Sequence, residues 1–133
     1  MDQEQNIEYW LDTAAYDIET ARAMLLTKRF LYVAFMCHQT VEKSLKAFYV
    51  FKVTAIPPYT HNLSHLAKKA SLYDDLSLGQ KDFLDVLEPL NIEARYPTNK
   101  ERIAKFLDEK RCAEIIKNTE EFYQWIKAKL LKK

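Results

Sequence analysis

Apolar residues recur along this chain at steps of three and four, the period of one helix face rather than of a strand. Over residues 4–27, Ile7, Leu11, Ala14, Ile18, Ala21 and Leu25 form such a seam, and Trp10 widens it on one side. Asp12, Asp17 and Glu19 fall on its other faces. Lys28-Arg29-Phe30 contains neither glycine nor proline, so a tight corner into an antiparallel helix over residues 30–53 is expected. At roughly 1.5 Å per residue both helices would be about 33–36 Å long, a match for a paired hairpin. In the second helix Ala34, Cys37, Val41, Leu45 and Phe48 share one stripe. Its first turns, Phe30 to Met36, are apolar on nearly every side, which predicts burial all round, against several helices or a second subunit.

Beyond Pro57-Pro58, which ends the second helix, the pattern weakens. Thr60 reads as the N-cap of a short helix over residues 61–70 with Leu63 and Leu66 as its contacts, and residues 71–76 read as a loop. Ser77 and Gln80 have capping-box spacing and open a helix through Phe83, Leu84, Leu87 and Leu90, which Pro89 should kink or end. Residues 93–100 follow as a polar exit. A last helix over residues 108–130 buries Cys112, Ile115, Ile116, Thr119, Phe122, Trp125 and Ile126. Its acids come early and its lysines late, in keeping with the helix dipole. The expected architecture is all-α: an antiparallel up-and-down four-helix bundle with an extra short helix, in one domain spanning residues 1–133.

Composition changes this picture by exclusion. Gly79 is the one glycine, which argues against an all-β fold and rules out a glycine-rich phosphate loop. A net charge of +1 predicts no general pull toward nucleic acid or anionic membranes. The polar, acidic start is unlike a signal or transit peptide, and no apolar run nears the length of a bilayer span. Cys37 and Cys112 are expected to be buried, reduced thiols. A soluble cytoplasmic protein without membrane contact is the expectation.

Candidate chemistry is sparse. Gln39, Glu42, Lys43 and Lys46 make a polar edge beside the core stripe of the second helix. Glu42 precedes Lys46 by four, the better orientation for a helical ion pair, yet such a pair is worth only about 0.2–0.5 kcal/mol in water. The edge is therefore a solvated face or the wall of a cleft. His61 and His65 stand four apart but lack a third ligand, so structural or capping roles are expected and no metal. His38 reads as an interior or interface histidine and Ser44 as a surface residue. No nucleophile–histidine pairing can be assembled, and no cofactor is expected. Arg95-Tyr96-Pro97 sits at a helix exit, where Arg95 could hold a phosphate through its planar fork or pair with a carboxylate such as Glu42.

Three stretches occur in one order: Gln39-x-x-Glu42-Lys43-x-x-Lys46-Ala47, His61-Asn62-Leu63-x-x-Leu66, and Ala94-Arg95-Tyr96-Pro97. With Trp10, Asp17 and Ala21 before them, they resemble the HEPN domain family (higher eukaryote and prokaryote nucleotide-binding) over nearly the whole chain. The resemblance implies a helical bundle, frequent homodimers and pairing with a minimal nucleotidyltransferase, in some members as toxin and antitoxin. It also implies a ligand-contacting set of Glu42, Lys46, His61 and Arg95, with Tyr96 beside it. Many relatives are RNases using an arginine followed four to six residues later by a histidine. Here no histidine follows His65, so that route lacks its imidazole and RNA cleavage is not favoured. The expected function is binding of a nucleotide or other phosphate-bearing ligand alongside a nucleotidyltransferase. The alternatives are an RNase in which His61 supplies the imidazole beside Arg95, and a self-associating, non-catalytic module.

Overall fold

A computed structural model of the chain describes residues 2–92 and 105–131. Its order is α1 (Gln3–Leu26), α2 (Phe30–Val53), α3 (Leu63–Lys69), a 3-10 turn (Tyr73–Asp75), α4 (Leu78–Ile92) and α5 (Glu109–Leu131). The fold is an all-α antiparallel bundle of four long helices with α3 as the short addition. Helix α2 is its axis, touching α1, α3, α4 and α5, and its largest interface is with α1. The stripe Ala34, Cys37, Val41 and Leu45 is wholly enclosed. Leu63 and Leu66 of α3, Leu84 and Leu87 of α4, and Phe122 and Ile126 of α5 complete that core. Trp125 and Leu25 are only half-buried, at the edges of their seams.

With glycine absent from the corners, other residues take the left-handed backbone there. Lys28 has φ 59°, and the amides of Lys28 and Arg29 return to the carbonyls of Leu25 and Met24. That is the two-bond helix ending usually built on glycine. Ser71, φ 57°, repeats it with Ser71 and Leu72 bonded back to Lys68 and Ala67, and Thr54, φ 57°, closes α2. Each left-handed non-glycine residue costs roughly 1–2 kcal/mol, so these corners are held by the packing around them.

Several expectations need correction. Helix α3 is shorter than residues 61–70: its N-cap is Asn62, which accepts from the His65 amide, while Thr60 Oγ1 accepts from the Asn62 amide one step earlier. A threonine two residues before an asparagine lets either cap, and the extended φ/ψ at Asn62 decides it. The stretch 71–76 contains a 3-10 turn rather than plain loop. Helix α4 continues through Pro89 to Ile92. Pro89 and Asp85 both face solvent, so water can take up the carbonyl that the proline leaves unbonded. The Ser77–Gln80 capping box does form, with bonds of 2.8 and 3.1 Å. Within the single chain the start of α2 is covered only in part: Val33 and Ala34 are enclosed, Phe30, Leu31, Phe35 and Met36 are half-buried, and Tyr32 is exposed.

Both cysteines are free and buried. Loss of hydration pushes the Cys37 thiol up to about 12 and the Cys112 thiol up to about 11. At neutral pH both are protonated, packed side chains rather than nucleophiles. No described helix is long and apolar enough to cross a membrane.

Candidate functional site

The polar edge of α2 is neither solvated nor decorative. Steps of four place His38, Glu42 and Lys46 on one line of the helix, adjacent to the core stripe and covered by its neighbours. Glu42 is 3% exposed and Lys46 8%. Lys46 Nζ donates to Glu42 Oε2 at 3.0 Å and lies 5.3 Å from the centre of the Trp10 ring of α1. The other carboxylate oxygen, Glu42 Oε1, accepts from His61 Nδ1 at 2.8 Å. His61 arrives on the segment between α2 and α3, which the two prolines send across in extended form. Its side chain remains 40% exposed. Among the described residues Nε2 of that ring has no partner, so the imidazole joins a nearly dry ion pair to solvent.

Helix α4 supplies the opposite wall. Glu88 Oε1 accepts from the Leu63 amide at 2.7 Å, satisfying a free donor at the start of α3, and Glu88 Oε2 lies 3.5 Å from His38 Nε2. His38 is fully enclosed, with Nδ1 3.8 Å from Glu42 Oε1, too long for a hydrogen bond. Asn91 Oδ1 accepts from Gln39 Nε2 at 3.0 Å. Among the described residues His38 Nδ1 and Asn91 Nδ2 are buried nitrogens without a hydrogen-bond partner. Such groups are rare in folded proteins, and two in one interface mark it as unusual.

Of the expected ligand set, Glu42, Lys46 and His61 come together; Arg95 and Tyr96 lie outside the described residues. His65 is exposed and takes no part. No group of three or more His, Cys, Asp or Glu able to hold a metal occurs among the described residues. Asp17, on a face of α1 other than its apolar seam as expected, is nonetheless buried against Lys43 of α2, because the α1–α2 contact is wide enough to enclose an ion pair. Ser44 is likewise enclosed and donates to the Thr40 carbonyl at 2.8 Å. Glu88 and Asn91 were missed by sequence reasoning. Their signal was there: Glu88 stands four residues beyond Leu84 and Asn91 four beyond Leu87, polar residues on a core line.

Chemically, the set is a carboxylate that orients two donors. Lys46 spends one of its three N–H groups on Glu42, and His61 gives Nδ1–H to the same carboxylate while its side chain stays partly in solvent. Enclosing these charges costs several kcal/mol per ion, far more than a surface pair of this spacing returns.

The comparisons with known proteins agree with this architecture. The model of the HEPN domain matches residues 7–129. The chain belongs to the HEPN domain family. The crystal structure of TT1696 from Thermus thermophilus is similar to this HEPN chain with a TM-score of 0.80 and 17% identity, over 97% of this chain and 99% of that one. ST0689, an archaeal HEPN homologue, is similar with a TM-score of 0.64 and 21% identity, over 93% and 97%. At these identities the likeness is one of fold. No curated protein matches the chain.

The HEPN network makes a stability prediction. Glu42→Ala strands the Lys46 ammonium and the His61 imidazole, and should cost roughly 3–5 kcal/mol in urea unfolding. Glu42→Leu with Lys46→Met should recover most of that loss. A single variant that loses less than about 1 kcal/mol, or a double variant no better than the single, would contradict a desolvated network.

Proposed function

We propose that this HEPN domain binds a nucleotide or another phosphate-bearing ligand at the Glu42–Lys46–His61 set and acts with a minimal nucleotidyltransferase. One observation carries the binding half: a nearly dry carboxylate–ammonium pair that opens to solvent through a half-exposed imidazole. Buried ionic groups are poor stabilisers, so keeping one beside a partly exposed imidazole calls for a role beyond holding the fold. Glu42 holds the imidazole in place in advance, so an incoming anionic oxygen meets the Nε2–H of a doubly protonated His61 already oriented, with the Lys46 charge behind it. The partner half rests on the family alone.

The RNase alternative draws on the same contact, since Glu42 at 2.8 Å would orient His61 as a base. Its arginine, Arg95, lies outside the described residues, and binding is put before cutting because no histidine follows Arg95 in the chain.

Calorimetric titration with nucleoside triphosphates tests the proposal. The native chain should bind between micromolar and millimolar, and His61→Ala should weaken binding at least about fivefold, the worth of one charge-assisted hydrogen bond. No heat at millimolar ligand, with folded protein, would sink it.

We also propose a homodimer as the working unit. The half-buried Phe30, Leu31, Phe35 and Met36 with exposed Tyr32 form an apolar start to α2 that a second copy would cover. Sedimentation equilibrium should show a dimer at tens of micromolar; a monomer there would refute it.

A further inference from the structure

The segment between α2 and α3 carries a feature that the ion network does not use. Ile56 is 91% exposed and Tyr59 95%, on either side of Pro57-Pro58. Two prolines fix their own φ near −65° and hold the residue before each of them extended, so the backbone bearing these side chains has little freedom left to lose. Both ends are tied: Thr54 closes α2 in the left-handed region, and Thr60 Oγ1 accepts from the amide of Asn62, which caps α3. In extended chain, residues two apart face the same way. Tyr59 and His61 accordingly lie side by side, ring centroids 5.9 Å apart and planes at 62°. Tyr59 has no other ring or hydrogen-bond contact among the described residues, and its ring is open to solvent.

An aromatic ring held this way is a stacking surface. It stands next to the one member of the ionic set that reaches solvent, so a ligand held by its phosphate at His61 has Tyr59 within one ring of that contact. We infer that Tyr59 is the platform on which the base of a nucleotide stacks, and that the ligand is therefore a nucleotide rather than a simple phosphate or polyphosphate. This rests on the phosphate-binding reading of the Glu42–Lys46–His61 set. The base contributes through its π face, so the site should accept purines and pyrimidines, with purines favoured by their larger overlap. Stacking of this kind is independent of His61, which holds only the phosphate end.

Titration of ATP and of inorganic tripolyphosphate into the same protein separates the two parts. Native protein should bind ATP at least about fivefold more tightly than tripolyphosphate, the lower bound for one stacked base. Tyr59→Ala should bring ATP down to the tripolyphosphate level and leave tripolyphosphate unchanged. Tyr59→Trp should keep the preference, and its indole emission should be quenched as ATP is added. Equal binding of the two ligands by native protein, or ATP affinity unmoved in Tyr59→Ala, would overturn the stacking role while leaving the phosphate site standing. In the second case exposed Tyr59 and Ile56 would instead point to a protein partner. Absence of binding by both ligands would overturn the phosphate site and, with it, this inference. Because Tyr59 is exposed, its replacement is not expected to disturb the fold, and an unchanged thermal midpoint provides the check.

Discussion

Glu42 sets the terms for the rest of this structure. A carboxylate taken out of water inside a helix interface must have both oxygens hydrogen-bonded, or it costs several kcal/mol. One oxygen is met from within α2 by Lys46, and the other by His61 from the segment that follows. The first bond depends only on a four-residue helical step. The second fixes the path of the chain beyond Pro57-Pro58, and with it where α3 begins. Glu88 then ties α4 to that point through the Leu63 amide and faces His38. A single buried charge thus relates α2, α3 and α4, while Trp10 brings α1 over the ammonium.

This arrangement explains how a small bundle can hold a polar site without losing its core. The apolar stripe of α2 and its ionic line are neighbours on one helix, so the same packing that seals Val41 and Leu45 also seals Glu42. The sharp corners at Lys28, Thr54 and Ser71 carry strain that glycine would avoid. Residues with side chains there reduce the freedom of the unfolded chain, which partly offsets that strain. His61 and Tyr59 sit on the segment between two fixed points, Thr54 at the end of α2 and the Asn62 cap of α3.

Much of the fold was legible because helix faces leave a strong period. The seams of α1, α2 and α5, the hairpin corner and the Ser77–Gln80 cap all follow from spacing and residue type. Burial of the polar line was not legible. Periodicity says which residues share a face but not what covers that face, so Glu42 and Lys46 could be read equally as solvated or enclosed. Ser44 was misplaced for the same reason, and the enclosure of Asp17 could not be read. The choice between Thr60 and Asn62 as cap turned on one residue's backbone angle, which depends on how His61 is held by Glu42. Sequence also brought Glu42, Lys46 and His61 into one set, but only through family resemblance. Glu88, 25 residues beyond Leu63, stands on a core line of its own helix, but its ties to Leu63 and His38 are tertiary contacts that spacing does not give.

The central claim is that His61 is the solvent-facing member of a buried ionic set and meets the ligand. The chain has only three histidines, which makes nitrogen-detected NMR of the imidazoles direct. His38 is enclosed, and His65, four residues beyond His61 and exposed, serves as an internal control. Adding a nucleoside triphosphate should shift the His61 Nε2 resonance in a saturable manner and leave His65 unmoved. A His61 signal that stays in place at millimolar nucleotide, or one that moves only in step with His65, would contradict the account.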